Sequence, residues 1–349
     1  MRRYRIRIVG AGLIGTSIAL KARELGYGVS ITDEDQVAAR LANDLIGQTG
    51  QIQDVPKLVI IATPPKSILG VLQREIALNP SAIFIDTSSV KSKLQREVDS
   101  FSEIADRFVS THPIAGRENS GPQAAQSDLF EGRAWVISSG TIDAVEIVRD
   151  FVRDLGAIPY QISPAEHDQL FAQISHLPQL ISSALALSLE GAGERIDLAG
   201  QGLRDMVRLA QSEGRLWSEI LTENQEALLN ALDTFEAKLQ LLRSAIENSN
   251  LLGIEKLFES ARRERAKVTG KHGARPRDYV FVNVVIDDRP GQLSAIFNEC
   301  SQVQVNVEDL YLEHSPRQDT GLIRLALSNQ DAHKLQSHLA ERGWRAHIQ

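Results

Sequence analysis

Ile6-Arg7-Ile8-Val9-Gly10-Ala11-Gly12-Leu13-Ile14-Gly15 runs an apolar stretch straight into a glycine loop, and helix-forming composition follows to Leu25. A strand, then G-x-G-x-x-G, then a helix is the order of a dinucleotide-binding turn. The three glycines serve different physical needs. Gly10 permits the tight turn, Gly12 lets a pyrophosphate approach the backbone, and Gly15 lets the helix pack on the sheet. The helix start, with Leu13 and Ile14 in its first turn, offers free N–H groups and partial positive charge to phosphate. The next β-rich run, Val29–Thr32, ends at Asp33, where a ribose 2′-hydroxyl needs an acceptor. Glu34 and Asp35 follow with no adjacent arginine, and three carboxylates repel a 2′-phosphate. NAD is therefore predicted over NADP; the alternative is that these acids only cap the following helix.

Outward from this loop, further strand runs fall at Leu58–Ala62, Ala82–Ile85, Phe108–Val109 and Ala134–Ile137, with helical stretches between. That alternation predicts a Rossmann-type α/β domain with a doubly wound, mostly parallel sheet over residues 1–163. Thr63 and Pro64 follow the third strand and are expected at the same crevice, unless the prolines Pro64 and Pro65 merely start a helix. From 164 to 269 strand signals vanish. Leu228, Leu232, Phe235, Leu239, Leu242 and Ile246 then keep one helix face apolar for over four turns, the pattern of a bundle seam or a dimer interface. Gly270–Arg277 reads as a linker, and 278–349 as a small α+β module.

Bulk properties narrow the function. The chain has 349 residues, a net charge of -7 and 42% hydrophobic residues, so neither nucleic acid nor an anionic membrane surface is an expected partner. A single cysteine, Cys300, excludes an internal disulfide and suits a reducing cytoplasm. Arg2, Arg3, Arg5 and Arg7 precede no small-residue cleavage site, so no secretory signal is expected. No apolar run approaches the ~20 residues of a membrane span. His314, His333, His338 and His347 show no metal-ligand spacing, and no metal is predicted.

Two strand ends carry chemistry. Ile83-Phe84-Ile85-Asp86 leads into Thr87-Ser88-Ser89-Val90-Lys91, and Phe108-Val109-Ser110-Thr111 leads into His112-Pro113. A histidine at a strand end beside a nicotinamide is a natural proton acceptor for an alcohol being oxidised. Arg204 and Arg208, at i and i+4, place two cations on one helical face.

These strings, with HPIAGRENSG, DLFEGRAWVI, EHDQLFAQISHLPQL and GLRDMVRLAQSEGRLW, resemble the prephenate and arogenate dehydrogenases of tyrosine biosynthesis, over nearly the whole chain. The resemblance implies NAD-dependent oxidative decarboxylation of the dianion prephenate to 4-hydroxyphenylpyruvate. It makes His112 the base for the ring hydroxyl and Ser89 the residue that positions His112 and the nicotinamide. His176 becomes a pocket histidine, which a kink at Pro178 would tilt into the cleft. Arg208, with Arg204 beside it, becomes a carboxylate ligand, and Glu118 an acid at the pocket mouth that pairs with such an arginine. Ser88 stands where glycine is usual, and Glu213-Gly214 replaces a common Asp-Pro. The C-terminal module resembles an ACT domain, with Asp288, Gly291, Gln292, Leu293 and Asn306 at its ligand positions. That implies feedback by tyrosine, and the helical region implies a homodimer. Three alternatives remain open: an arogenate dehydrogenase; a β-hydroxyacid dehydrogenase, whose catalytic lysine motif is not found around 165–185; and a non-enzymatic NAD- and amino-acid-sensing regulator.

Overall fold

A computed structural model describes residues 4–47, 55–116, 120–268, 279–314 and 320–348. The chain divides into two compact units, Met1–Leu251 and Leu252–Gln349.

In the first unit, β1 (Arg5–Val9), α1 (Leu13–Glu24), β2 (Gly28–Thr32), α2 (Gln36–Leu45), β3 (Leu58–Ile61), α3 (Ile68–Leu78), β4 (Ile83–Asp86), α4 (Ser92–Asp99), the short α5 (Ser102–Ala105) and β5 (Phe108–Val109) alternate as expected. The five strands form a parallel sheet in the order β2-β1-β3-β4-β5. All four residues of β3 are buried, as a central strand covered on both faces requires. The order reverses between β1 and β3, and this opens a crevice at their C-terminal ends.

The sheet does not continue into the strand that carries His112. Ser110 interrupts it, and β6 (Thr111–Pro113) joins a second, three-stranded sheet with β7 (Ala134–Ile137) and β8 (Ile158–Gln161), while α6 (Ile142–Asp154) packs nearby. β6 runs antiparallel to β7, with His112 opposite Val136. The expected single sheet is thus two. The pairs Phe108-Val109 and Ser110-Thr111 are too short for sequence periodicity to show the change of partner.

The helical part comprises α7 (Pro164–Phe171), α8 (Leu177–Leu187), α9 (Gln201–Val207), α10 (Gly214–Glu223) and α11 (Gln225–Glu247). A capping box between Ser163 and Glu166 starts α7. The expected kink at Pro178 is replaced by a π-helical turn over Ala172–His176. The wider turn accommodates a proline that lacks an N–H and would clash with the carbonyl four residues earlier. The helical run Pro164–Leu187 has the length and apolar composition of a membrane-crossing helix, contrary to the sequence expectation. It buries His167, Asp168 and His176, while Leu170, Ile174 and Leu187 on it are exposed. On α11, Leu228 is buried, whereas Leu239 and Ile246 are 52% and 65% exposed, so the long seam is covered only at its start.

The second unit begins at α12 (Leu251–Ala266), a helix the sequence reading grouped with the preceding helices. It continues with β9 (Val280–Asp287), α13 (Gln292–Gln302), β10 (Asp309–His314), β11 (Thr320–Leu327), α14 (Asn329–Glu341) and β12 (Arg345–Ile348). The sheet order is β10-β11-β9-β12, all antiparallel. Val282, Val284, Ile323 and Leu325 pack with Ile296, Leu335 and Leu339 of the two helices. The elements after α12 run in the order βαββαβ.

Candidate active site

A cleft of about 820 Å³ lies along the C-terminal ends of β1, β3, β4 and β6. Gly10, at φ +111, forms its floor; a Cβ there would lie 2.2 Å from the Ala62 carbonyl oxygen, so no other residue fits. Gly12 opens freely into the cleft. Leu13 and Ile14 line it at the start of α1, and Gly15 lies in that helix's first turn, packed against Ala62. Thr63 and Pro64 also line it, and the Thr63 hydroxyl is buried without a hydrogen-bond partner. Asp33 accepts from the Ala11 N–H at 2.6 Å through one oxygen and from the Asp35 N–H at 2.9 Å through the other. It braces the glycine loop while its remaining lone pairs face the cleft. Asp35 caps α2 through the N–H groups of Val37 and Ala38, so the cap reading holds for that acid. An open glycine loop, an acid at the end of β2 and an orphaned hydroxyl fit a dinucleotide.

At the other end of the cleft stand Ser89 and His112. The His112 Nδ1 lies 2.9 Å from His167 Nε2, and His167 Nδ1 lies 2.8 Å from Asp168 Oδ1. Asp168 also accepts the backbone N–H groups of Lys91 and Ser92 at 2.9 and 2.8 Å. Burial alone would raise the Asp168 pKa, but bonds from His167, Ser92 and Lys91 hold it below the usual carboxylate range. An ionised Asp168 can only accept, so His167 carries its proton on Nδ1 and presents a lone pair at Nε2. His112 must then donate from Nδ1, which leaves its Nε2 as a bare acceptor. Burial first, then the neighbouring His167, Lys91 and His176, push the His112 pKa well below the ordinary histidine value. The ring is neutral and ready to take a proton.

Beneath this pair Lys91 is fully buried. Its Nζ donates to Asp86, to Ser88 Oγ at 3.0 Å and to the Thr111 carbonyl at 2.6 Å. Asp86 also accepts the Thr111 N–H at 2.9 Å. The serine found in place of the usual glycine is therefore put to use, since Ser88 Oγ donates within this network while Ser89 faces the cleft. Sequence reading missed His167, Asp168 and Lys91. The adjacent His-Asp pair just after a capping box was the available signal.

Other expected positions lie elsewhere. His176 is 1% exposed and does not line the cleft. Asn224 donates to its Nδ1 at 3.1 Å and to the Asp168 carbonyl at 2.8 Å, and burial pulls the His176 pKa to about 4. It is a core histidine, because the π turn absorbs Pro178 without tilting the ring outward. Arg204 donates to the Ala199 carbonyl at 2.9 Å, and Arg208 opens a 3-10 turn after α9; neither is on the described cleft wall. Glu118 lies outside the described residues. In the second unit, Gly291 takes the left-handed conformation before α13, whose first residues are Gln292 and Leu293. Asp288 lies in the turn before it, and the Asn306 amide donates to Glu308 at 2.8 Å.

Residues 18–160 match the family model described as "Prephenate dehydrogenase, nucleotide-binding domain", and residues 163–260 match "Prephenate dehydrogenase, dimerization domain". The chain is 31% identical to the cyclohexadienyl dehydrogenase of Zymomonas mobilis over 78% of this chain and 98% of that one. Among solved structures, an arogenate dehydrogenase from Synechocystis is 29% identical with a TM-score of 0.64, over 75% of this chain and 99% of that one. The Aquifex aeolicus prephenate dehydrogenase in complex with hydroxyphenyl propionate and NAD+ is 25% identical with a TM-score of 0.69, over 77% and 99%. With a glycine loop and a buried, neutral histidine lining one cleft and these matches along both parts, the chain belongs to the prephenate dehydrogenase family.

Proposed function

We propose that the chain oxidises and decarboxylates prephenate to 4-hydroxyphenylpyruvate with NAD. The observation that carries this reading is the unprotonated Nε2 of His112, set by the His167–Asp168 chain at a cleft that also holds the glycine loop. Bound NAD supplies the hydride acceptor. His112 Nε2 takes the proton of the ring hydroxyl as the hydride leaves C4, and the carbonyl forms there. The resulting imidazolium is stabilised through His167 by the Asp168 charge. The bond from C1 to its carboxylate then breaks, carbon dioxide leaves and the ring becomes aromatic. The substrate oxygen is a hydroxyl in the product too, so His112 returns its proton to the phenolate. Ser89 holds the His112 ring and the nicotinamide in register. Gly10, Gly12, Leu13, Ile14 and Gly15 take the pyrophosphate, Asp33 a ribose hydroxyl, and Thr63 and Pro64 the far wall. Arg208, with Arg204 beside it, reaches a substrate carboxylate from beyond the described cleft wall, and Glu118 at the pocket mouth pairs with such an arginine.

Three finer readings belong here. The C-terminal module serves as an ACT-like sensor for tyrosine, with Asp288, Gly291, Gln292, Leu293 and Asn306 around the ligand; the left-handed Gly291 and the βαββαβ sheet support it. The exposed Leu239 and Ile246 on a helix within the matched dimerization domain support a homodimer. A cytoplasmic location suits a single free cysteine. The second substrate reading, arogenate, rests on the likeness to the Synechocystis enzyme.

The test is NADH formation with prephenate and with arogenate, using NAD and NADP, with and without tyrosine. Turnover of prephenate with NAD, inhibited by tyrosine, is expected. Turnover of arogenate alone moves the assignment to the second reading, and no turnover of either removes the enzyme reading. Activity indifferent to tyrosine removes the regulatory role.

A further inference from the structure

The lining of the cleft that holds Asp33 also includes a helix face that the catalytic account does not use. The α3 face turned toward it presents Ser67, Gly70, Val71 and Arg74, at i, i+3, i+4 and i+7. Gly70 is unusual there. A glycine inside a helix costs roughly 0.5–1 kcal/mol relative to alanine. No turn, positive φ or close neighbour demands it, since a Cβ at Gly70 would meet nothing within 4 Å. What the glycine leaves is a flat, open patch on the cleft wall. One turn later Arg74 lines the same wall, and no ion pair engages it among the described residues. A helical side chain leans toward the N-terminus, so Arg74 is directed along the face that carries position 70 one turn earlier.

The rest of the cleft orders a dinucleotide along its length. His112 and Ser89 mark the nicotinamide end, the loop at Gly12 the pyrophosphate and Asp33 the second ribose. The base beyond that ribose meets α3. We propose that adenine lies flat on Gly70 and is capped by the Arg74 guanidinium as a cation–π stack. Arg74 then supplies affinity for the base itself, and Asp33 with Glu34 keeps a 2′-phosphate away from the same cation. This proposal rests on the NAD reading above.

Titration calorimetry of the full chain with NAD, AMP and NADP tests it, in wild type, Arg74→Ala and Gly70→Leu. Both variants are expected to weaken NAD and AMP by about tenfold, within the range of a desolvated cation–π contact. Gly70→Leu should raise or preserve the melting temperature, because it improves helix propensity while filling the shelf; a folding defect would do the reverse. Unchanged NAD and AMP affinities in both variants overturn the stack. A loss confined to NADP in Arg74→Ala also overturns it and makes Arg74 a 2′-phosphate ligand. If wild type binds none of the three nucleotides, the NAD reading itself fails.

Discussion

His112 works because of what stands behind it. Asp168 fixes the proton on His167, and His167 fixes the proton on His112, so the only free lone pair faces the cleft. His112→Asn should keep NAD affinity and lower turnover about 100-fold or more, the usual scale for losing a general base. Titration of NAD beside a turnover assay checks this, and near-normal turnover would exclude His112 from the chemistry. The acid limb of kcat/KM should lie well below pH 6.5, since the folded environment disfavours the imidazolium. His112 stood out in the sequence as a polar residue at a strand end, Ser89 through the family resemblance alone, and both line the cleft. His167 was not legible there, because its partner sits 55 residues away and only folding brings the two rings to 2.9 Å. For His176 the motif carries the residue's identity, and its hydrogen bond with Asn224 shows where the ring sits.

At the scale of elements, α4 begins without a side-chain cap of its own. Its leading N–H groups at Lys91 and Ser92 are satisfied by Asp168, which α7 brings from 77 residues along the chain. Such a remote cap stands in for the serine or aspartate that normally precedes a helix. Asp168→Ala should cost about 1.5–3 kcal/mol, the scale of hydrogen bonds to a charged group, and should lower turnover as well. Urea denaturation and a rate assay on one preparation separate the two effects; unchanged stability with lost turnover would mean that the cap is dispensable. The strands and helices of the nucleotide-binding half follow from local patterning and were readable. The break at Ser110 and the π turn before Pro178 were not, since each is a tertiary answer to a local conflict.

Across the whole molecule, three buried neutral histidines, His112, His167 and His176, set the pH behaviour. Unfolded histidines bind protons near pH 6.5, whereas these bind them only at lower pH, to about 4 for His176. The unfolded chain therefore takes up more protons as the pH falls, and stability present above 6.5 is lost below it. Each histidine contributes up to about 1.4 kcal/mol per pH unit. Urea midpoints should hold steady from pH 8 to 7 and decline from 6.5 toward 5, and a flat profile would show that these rings are not buried and neutral. The Rossmann-like nucleotide-binding part and the helical part after it were legible here from the glycine loop and the change from alternating to helical patterning. The division at Leu251 was not, since the seam along α11 gives no hint that α12 groups with the module after it. The carboxylate of Asp168 also bears on how such proteins can be recombined. A chimaera that joins this nucleotide-binding half to a foreign helical partner inherits a frayed α4 and a base in the wrong tautomer unless the graft brings its own His-Asp pair. The two halves are thus exchangeable only as a matched set.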